Sequence, residues 1–139
     1  SAGIPYASLL AQKLKLPLSY IRKERKKFGK KSQIEGNIKY NDKVLLVEDL
    51  ITDGSSKYNF IEAVEEVGGR IKAIFVIFNY GINKEFLEYN GKKIKIISLA
   101  KWEDVLKILK LKNIFPQKKI SSIVKFLSSM GIKNLKSFL

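Results

Sequence analysis

Two adjacent carboxylates are the most chemically informative residues of this sequence. Glu48 and Asp49 directly follow an uninterrupted apolar run, 44–47, which is typical of a strand covered on both faces in a parallel sheet. Ligands of open parallel sheets bind where the strands end, so we expect both carboxylates at a ligand site. Ionised carboxylates only accept hydrogen bonds, and the pair therefore suits two vicinal ribose hydroxyls or the water shell of Mg²⁺.

The turn after these carboxylates has the composition of a phosphate-binding segment. Thr52, Ser55 and Ser56 supply hydroxyl donors, and Gly54 lets the backbone approach a ligand closely. A helix is expected to begin here, and the first N–H groups of a helix lack internal partners and attract a phosphate. The spacing of a Walker loop is absent. The alternative is an acidic turn whose serine caps the helix, but the apolar strand in front of the turn favours a phosphoribosyl site.

Basic residues are concentrated in one segment of a chain that is basic overall. The formal net charge is +14, from 27 Lys and Arg against 13 Asp and Glu. Most of the dispersed basic residues are Lys, and a Lys-rich composition explains them without a polyanionic partner. Between Arg22 and Lys31, however, seven of ten residues are basic. Taken alone, such a segment is interpreted as a solvated charge run or a nucleic-acid patch.

The composition excludes several classes of chemistry. The sequence contains no His and no Cys, which excludes imidazole bases, Ser-His-Asp triads, thiolate nucleophiles and metal sites built from those side chains. A hydrophobic content of 45% is typical of a folded domain. No apolar run approaches the roughly 20 residues of a membrane-spanning helix, and no export signal is visible, so we expect a cytoplasmic protein.

Alternating strand and helix patterns predict one α/β domain, 1–139, with a mainly parallel sheet flanked by helices. Because the chain begins almost directly in a helix, we expect a strand upstream of it. The predicted elements, in chain order, are a helix begun by Pro5 and ended by Pro17, a strand at 18–22, a mobile loop at 24–35, a strand at 44–47, a helix closed by Gly68 and Gly69, a strand at 74–78, a short polar helix at 84–88, a strand at 94–97, a helix over 102–109, and a last helix after Pro116.

Residues 44–56 resemble the phosphoribosyl-diphosphate signature of the type I phosphoribosyltransferases: an apolar strand, two acidic residues, two apolar residues and a Thr/Gly/Ser turn. Three further regions carry the resemblance in the same order, namely 2–5, then 20–29 with 33–36, then 77–81. The Arg-Lys segment followed by Gln-Ile-Glu-Gly is most similar to the orotate phosphoribosyltransferases. The resemblance covers nearly the whole chain, and it implies that an N-terminal portion lies upstream, with most of the hood over the base.

The resemblance implies a glycosyltransferase of pyrimidine (UMP) biosynthesis. Such an enzyme transfers the 5-phosphoribosyl group from phosphoribosyl diphosphate to orotate, giving orotidine 5′-phosphate and diphosphate, with Mg²⁺ as cofactor. It also implies a homodimer in which loop 22–31 acts in the neighbouring subunit, with neither a membrane nor a nucleic acid as partner. Two alternatives stay open: a phosphoribosyltransferase for a purine base, and a noncatalytic nucleic-acid-binding regulator on the same fold.

By the same resemblance, individual residues receive roles. Lys26 and Asp49 are the implied catalytic residues, Thr52 contacts orotate, and Mg²⁺ is held by substrate and water rather than directly by the protein. The implied contacts to phosphoribosyl diphosphate are Arg22, Lys23, Lys26, Glu48, Asp49, Leu50, Ile51, Thr52, Asp53, Gly54, Ser55 and Ser56.

Three positions depart from the family pattern. Phe28 stands where a His is usual, so no proton can be donated to diphosphate from there, and Mg²⁺ and the lysines must suffice. Asp53 lies inside the phosphate-binding turn, where an inward carboxylate would repel phosphate, so we expect it to face outward. The stretch 79–81 lacks the Arg that binds the orotate carboxylate in some members.

Apart from these positions, Trp102 is predicted to be an ordinary core aromatic.

Overall fold

The described residues form an α/β fold, in which groups of strands lie between helices along the chain. The structure is a computed structural model that describes residues 2–22, 33–82, 85–133 and 135–139. Its elements are α1 (Ile4–Leu14), β1 (Tyr20–Ile21), β2 (Ile34–Glu35), β3 (Lys43–Ile51), α2 (Ser55–Glu66), β4 (Arg70–Asn79), β5 (Phe86–Tyr89), β6 (Lys92–Lys101), α3 (Trp102–Leu111), α4 (Gln117–Ser129) and a short 3₁₀ helix (Lys136–Phe138). Among these described helices, none has the length and apolar character needed to cross a bilayer.

The main sheet has the strand order β3-β4-β6-β5. β3 pairs with β4, and β4 with β6, in parallel, whereas β5 pairs antiparallel with β6. The prediction of a mainly parallel sheet is therefore confirmed. Leu46, Ile74 and Ile96 are register partners on one face of the sheet, where they pack with Ile61 of α2 in the first hydrophobic core. The parallel pairing brings the carboxyl ends of β3, β4 and β6 to the same edge.

A second hydrophobic core lies among α3, α4 and the 3₁₀ helix. Its buried side chains are Leu106, Ile120, Val124, Leu127, Ile132, Leu135 and Phe138. Trp102 joins this core to the sheet, because its ring stands edge-on to Phe78 at 5.6 Å and to Tyr80 at 5.9 Å. The expectation of a core aromatic at this position is confirmed.

The predicted polar helix at 84–88 is wrong. Phe86–Tyr89 is a strand that forms a hairpin with β6, while Lys84 lies outside the described residues. Asn90 and Gly91, between the two strands, both have positive φ, 48° and 72°. This is the pattern of a two-residue type I′ turn, which strongly favours a hairpin. The turn chemistry therefore outweighed the polar composition of the segment.

The predicted loop at 24–35 also needs a correction at its end. Ile34–Glu35 forms β2, which pairs antiparallel with β1, so the chain is already regular there. β1 in turn covers only Tyr20–Ile21 of the strand predicted at 18–22. Residues 23–32, which include most of the predicted mobile loop, lie outside the described residues.

Candidate functional site

The carboxyl ends of β3 and β4 are fastened together by backbone and side-chain hydrogen bonds. The N–H of Tyr80 donates to the carbonyl of Ile51 at 2.9 Å. Asn79 is 1% exposed, and its Oδ1 accepts a hydrogen bond from the N–H of Gly81 at 2.8 Å. The stretch 79–81 therefore turns the chain away from the sheet edge. Asn79 and Gly81 thus have a structural role in this turn.

Residues 52–56, hereafter the phosphate cradle, connect β3 to α2 at this edge. Gly54 adopts a left-handed conformation with φ of 84°, which glycine tolerates without a steric penalty. α2 begins at Ser55, so the hydroxyls of Ser55 and Ser56 lie at the helix N-terminus, where both residues are exposed. Thr52 is half-buried. The structure thus places N–H groups, hydroxyls and a positive helix end together, which are the groups that bind phosphate.

The sequence analysis expects Asp53 to face outward, but its carboxylate lies against Ser55 of the phosphate cradle. The residue is exposed, but its Oδ1 accepts hydrogen bonds from the backbone N–H of Ser55 at 3.1 Å and from the Ser55 hydroxyl at 2.9 Å. These hydrogen bonds hold the pKa of the Asp53 carboxyl below its ordinary value, because they favour the charged form. The Asp53 carboxylate therefore accepts hydrogen bonds from the N–H and the hydroxyl of Ser55, two donors that the sequence analysis assigns to a phosphate.

The two adjacent carboxylates have different surroundings. The Oε1 of Glu48 lies 3.5 Å from the Nζ of Lys57, and the side chains of Glu48 and Lys57 are only 12% and 9% exposed. Asp49 is half-buried and, within the described residues, has no ion pair or side-chain hydrogen bond. Ile51 is buried in the first core, so only its main chain can meet a ligand, and Leu50 is exposed. Asp49 is thus the more available of the two carboxylates.

Lys57 is a residue of this site that the sequence analysis missed. It lies in the first turn of α2 and is buried, which is uncommon for lysine. A signal existed, because Lys57 precedes Ile61 and Val64 at helical spacing and so occupies a position on the buried stripe of α2. A charged residue on an apolar stripe indicates a buried partner, and here the partner is Glu48.

The N-terminal residues pack directly against the end of β3. A Cβ atom added at Gly3 would stand 2.5 Å from the O of Val47 and 2.9 Å from the Cα of Glu48, which is closer than side chains come. Only glycine allows this approach. Residues 2–4, which belong to the first region that carries the family resemblance, therefore lie beside the acidic end of β3.

The motif Gln-Ile-Glu-Gly, 33–36, is joined to Arg22 by several hydrogen bonds. The N–H of Arg22 donates to the carbonyl of Gln33 at 2.8 Å, and the Gln33 side chain donates back to the carbonyl of Arg22 at 2.7 Å. The Nε of Arg22 also donates to Glu35 at 2.9 Å, so its guanidinium is paired in this structure. The predicted diphosphate contacts Lys23 and Lys26, and also Phe28, lie outside the described residues.

A cavity of about 340 Å³ lies next to this site but does not coincide with it. Mostly apolar residues of α1, β1 and β3 line it, and it reaches the site at Gly3 and Glu48. No residue of the phosphate cradle lines it. The hydroxyl and backbone N–H groups of the phosphate cradle therefore lie outside this cavity.

An acidic strand end followed by a Gly/Ser helix start, at the carboxyl edge of a parallel sheet, is typical of α/β proteins that bind phosphorylated ligands. Residues 1–109 match the family described as phosphoribosyl transferase domain. The chain belongs to this phosphoribosyltransferase family, and its fold is that of the type I members.

Individual relatives indicate which members of the family this chain resembles. The chain is 40% identical to an orotate phosphoribosyltransferase of Rhizobium johnstonii over 129 residues, which are 93% of this chain and 56% of the relative. It is 41% identical to an orotate phosphoribosyltransferase of Roseobacter denitrificans, covering 91% of this chain and 57% of the relative. The chain spans little more than half the length of these curated relatives.

A crystal structure of orotate phosphoribosyltransferase from Aeropyrum pernix is also similar, with a TM-score of 0.63 and 30% sequence identity. The match covers 80% of this chain and 62% of that structure. Fold and sequence similarity thus point to the same branch of the family.

Proposed function

We propose that the protein is an orotate phosphoribosyltransferase, which transfers the 5-phosphoribosyl group from phosphoribosyl diphosphate to orotate. One observation carries this proposal: residues 2–4, the acidic end of β3 and the phosphate cradle meet at one sheet edge. The proposal is also supported by identities near 40% to relatives of that name. A purine base as substrate has less support, because these relatives are named for orotate.

Different residues of the proposed site bind the 5′-phosphate, the ribose and the diphosphate of the donor substrate. The phosphate cradle binds the 5′-phosphate through backbone N–H groups and the hydroxyls of Ser55 and Ser56. Asp49 accepts hydrogen bonds from the two ribose hydroxyls, and Glu48, paired with Lys57, lies beside it. Residues 2–4 and the basic segment with Arg22, Lys23 and Lys26 receive the diphosphate. Thr52, which directly follows β3 and begins the phosphate cradle, is proposed to contact orotate.

The proposed reaction exchanges one bond at the ribose C1 for another. The bond from C1 to the diphosphate oxygen breaks and diphosphate leaves with the electron pair, while the orotate nitrogen forms the new bond to C1 and gives up its proton to diphosphate or solvent. The sugar is positively charged and the leaving group negatively charged in the transition state. Cations of the basic segment stabilise the leaving group, and carboxylates at the strand end stabilise the sugar, so no nucleophilic side chain is required.

The residues present fit the proposed cofactor. Two adjacent carboxylates at the strand end offer oxygen atoms that accept hydrogen bonds from the hydration shell of Mg²⁺. That substrate and water, rather than the protein directly, hold the ion stays a prediction. When bound, Mg²⁺ would neutralise charge on the diphosphate. The homodimer, with 22–31 acting in the neighbouring subunit, and the cytoplasmic location stay predictions, as does the single core domain 1–139.

The test is a competition between bases on the full-length protein. Purified protein is incubated with phosphoribosyl diphosphate, Mg²⁺ and a mixture of orotate, adenine and hypoxanthine, and each base is followed by chromatography. We expect orotate alone to be consumed, with one diphosphate released per orotate. Consumption of a purine would assign the other base class. Absence of any conversion, together with nucleic-acid binding that weakens steeply with salt, would support a regulator instead.

A further inference from the structure

We propose that Lys57 is a positioning residue of the phosphoribosyl site. In this inference, which rests on the proposed function, Lys57 holds the carboxylate of Glu48 and thereby fixes the start of α2 against the end of β3. The ion pair thus sets the distance between Asp49, which binds the sugar, and the phosphate cradle, which binds its phosphate.

The surroundings of Lys57 show that its position is specific. Its Nζ lies 3.5 Å from the Oε1 of Glu48 and 5.8 Å from the centre of the Phe60 ring. The side chain is only 9% exposed, and a buried ammonium group is strongly unfavourable unless a charge partner compensates it. Moving Lys57 away from Glu48 would therefore cost a large free energy. The ion pair thus holds both side chains in place, unlike an ion pair on the surface.

The pair connects three segments of the site. Lys57 immediately follows Ser56, and its N–H donates to the carbonyl of Gly54 at 2.9 Å, so it is built into the phosphate cradle. Glu48 immediately precedes Asp49 on β3. The Oε2 of Glu48 also lies against Gly3, where an added Cβ would stand 3.2 Å from it. A displacement of the pair would shift the cradle, Asp49 and residues 2–4 relative to one another.

The pair also sets the charge at the strand end. Lys57 neutralises one of two adjacent carboxylates, which leaves Asp49 as the acceptor for the ribose hydroxyls. Removing one member of a buried ion pair leaves the other uncompensated, whereas replacing both by neutral groups of similar size is tolerated far better. A positioning role therefore predicts two damaging single substitutions and a double substitution that recovers most of the loss.

The experiment measures binding of ribose 5-phosphate by calorimetry to full-length protein and four variants. These are Lys57→Met, Glu48→Gln, the double variant, and Lys57→Arg as the conservative change. Lys125→Met, an exposed lysine of α4, is the matched control. All titrations are run well below the thermal midpoint of each variant, so that only folded protein is measured.

We expect each neutral single substitution to weaken binding about tenfold or more, and the double variant to recover most of that loss, because the lone buried charge is gone. Lys57→Arg should retain more affinity than Lys57→Met, and the control should bind as the wild type does. Single variants with lowered thermal midpoints but unchanged affinity would overturn the proposal in favour of a purely structural pair. A double variant whose loss of binding free energy equals the sum of the two single losses would also overturn it, because Glu48 would then bind the sugar itself.

The same titration separates this inference from the proposed function. Wild-type protein that binds ribose 5-phosphate but converts no orotate would contradict the proposed activity alone, and the variant series would still decide the role of Lys57. Wild-type protein that binds no ribose 5-phosphate would contradict both.

Discussion

The carboxylate of Asp53 bonds to Ser55, the first residue of α2, through both the backbone N–H at 3.1 Å and the hydroxyl at 2.9 Å. These two donors belong to the phosphate cradle. One oxygen atom of Asp53 thus occupies the place that the proposed function gives to a phosphate oxygen. Phosphate and carboxylate must compete for Ser55, and Asp53 has to turn away before the ligand can bind fully.

We therefore predict that Asp53→Ala increases affinity for ribose 5-phosphate. Loss of the competing carboxylate and of its repulsion should lower the dissociation constant about two- to fivefold, the range of one surface charge at a helix N-terminus. Calorimetric titration of both proteins measures this. Asp42→Ala is the matched control, because the exposed Asp42 makes a similar bond to the N–H of Lys39, at 2.8 Å, at the other end of β3. Weaker binding by Asp53→Ala would show that the carboxylate assists phosphate binding.

A second prediction concerns the titration of the same group. Hydrogen bonds from Ser55 lower the pKa of Asp53 in the folded protein, so they stabilise the fold at pH values above the ordinary pKa and cease to do so as pH falls through the lowered value. Carbon-detected NMR titration of the side-chain carboxyl measures this pKa. We expect a value below the ordinary one, which rises when saturating ribose 5-phosphate takes over the Ser55 donors. An ordinary pKa in the free protein would contradict the contact.

A third prediction concerns Trp102, whose Nε1 is buried without a hydrogen-bond partner among the described residues. An unpartnered buried donor costs about 1–3 kcal/mol, while the ring gains from its packing on Phe78 and Tyr80. Trp102→Phe keeps an aromatic ring and removes the donor, so we expect the free energy of unfolding to change by less than about 1 kcal/mol. Trp102→Ala should lower it by about 3–5 kcal/mol. Denaturant unfolding of both variants decides this, and a Phe variant as unstable as the Ala variant would reveal a partner for the indole.

The sheet could be predicted from the sequence because its parallel strands are rich in apolar residues, and the segments 44–47, 74–78 and 94–97 all lie within observed strands. The expectation that 44–47 is covered on both faces is wrong for the described residues, because Leu45 is 43% exposed. In β6 the exposed Lys95 alternates with the buried Ile94 and Ile96, as in a strand buried on one face. The hairpin at 86–101 was missed although Asn90–Gly91 announces it. The segment was assigned from its polar composition, whereas the turn geometry decides the pairing.

The candidate site could be predicted as a set of residues but not as a set of contacts. Glu48, Asp49 and the phosphate cradle are contiguous in sequence, so their assembly at one strand end follows from local structure. The pairing of Glu48 with Lys57 depends on how α2 packs against β3, which is a tertiary relationship. The orientation of Asp53 depends on a choice among side-chain rotamers, which composition and spacing do not specify.

The central claim is that Asp49 and the phosphate cradle together bind a phosphorylated ribose at the end of β3. The most direct measurement is the equilibrium binding of phosphoribosyl diphosphate with Mg²⁺ to the full-length protein and to Asp49→Asn, which preserves shape and removes the charge. We predict a loss of affinity of about ten- to a hundredfold, as expected for hydrogen bonds to a charged acceptor, with an unchanged thermal midpoint. Equal affinity of the two proteins would contradict the account.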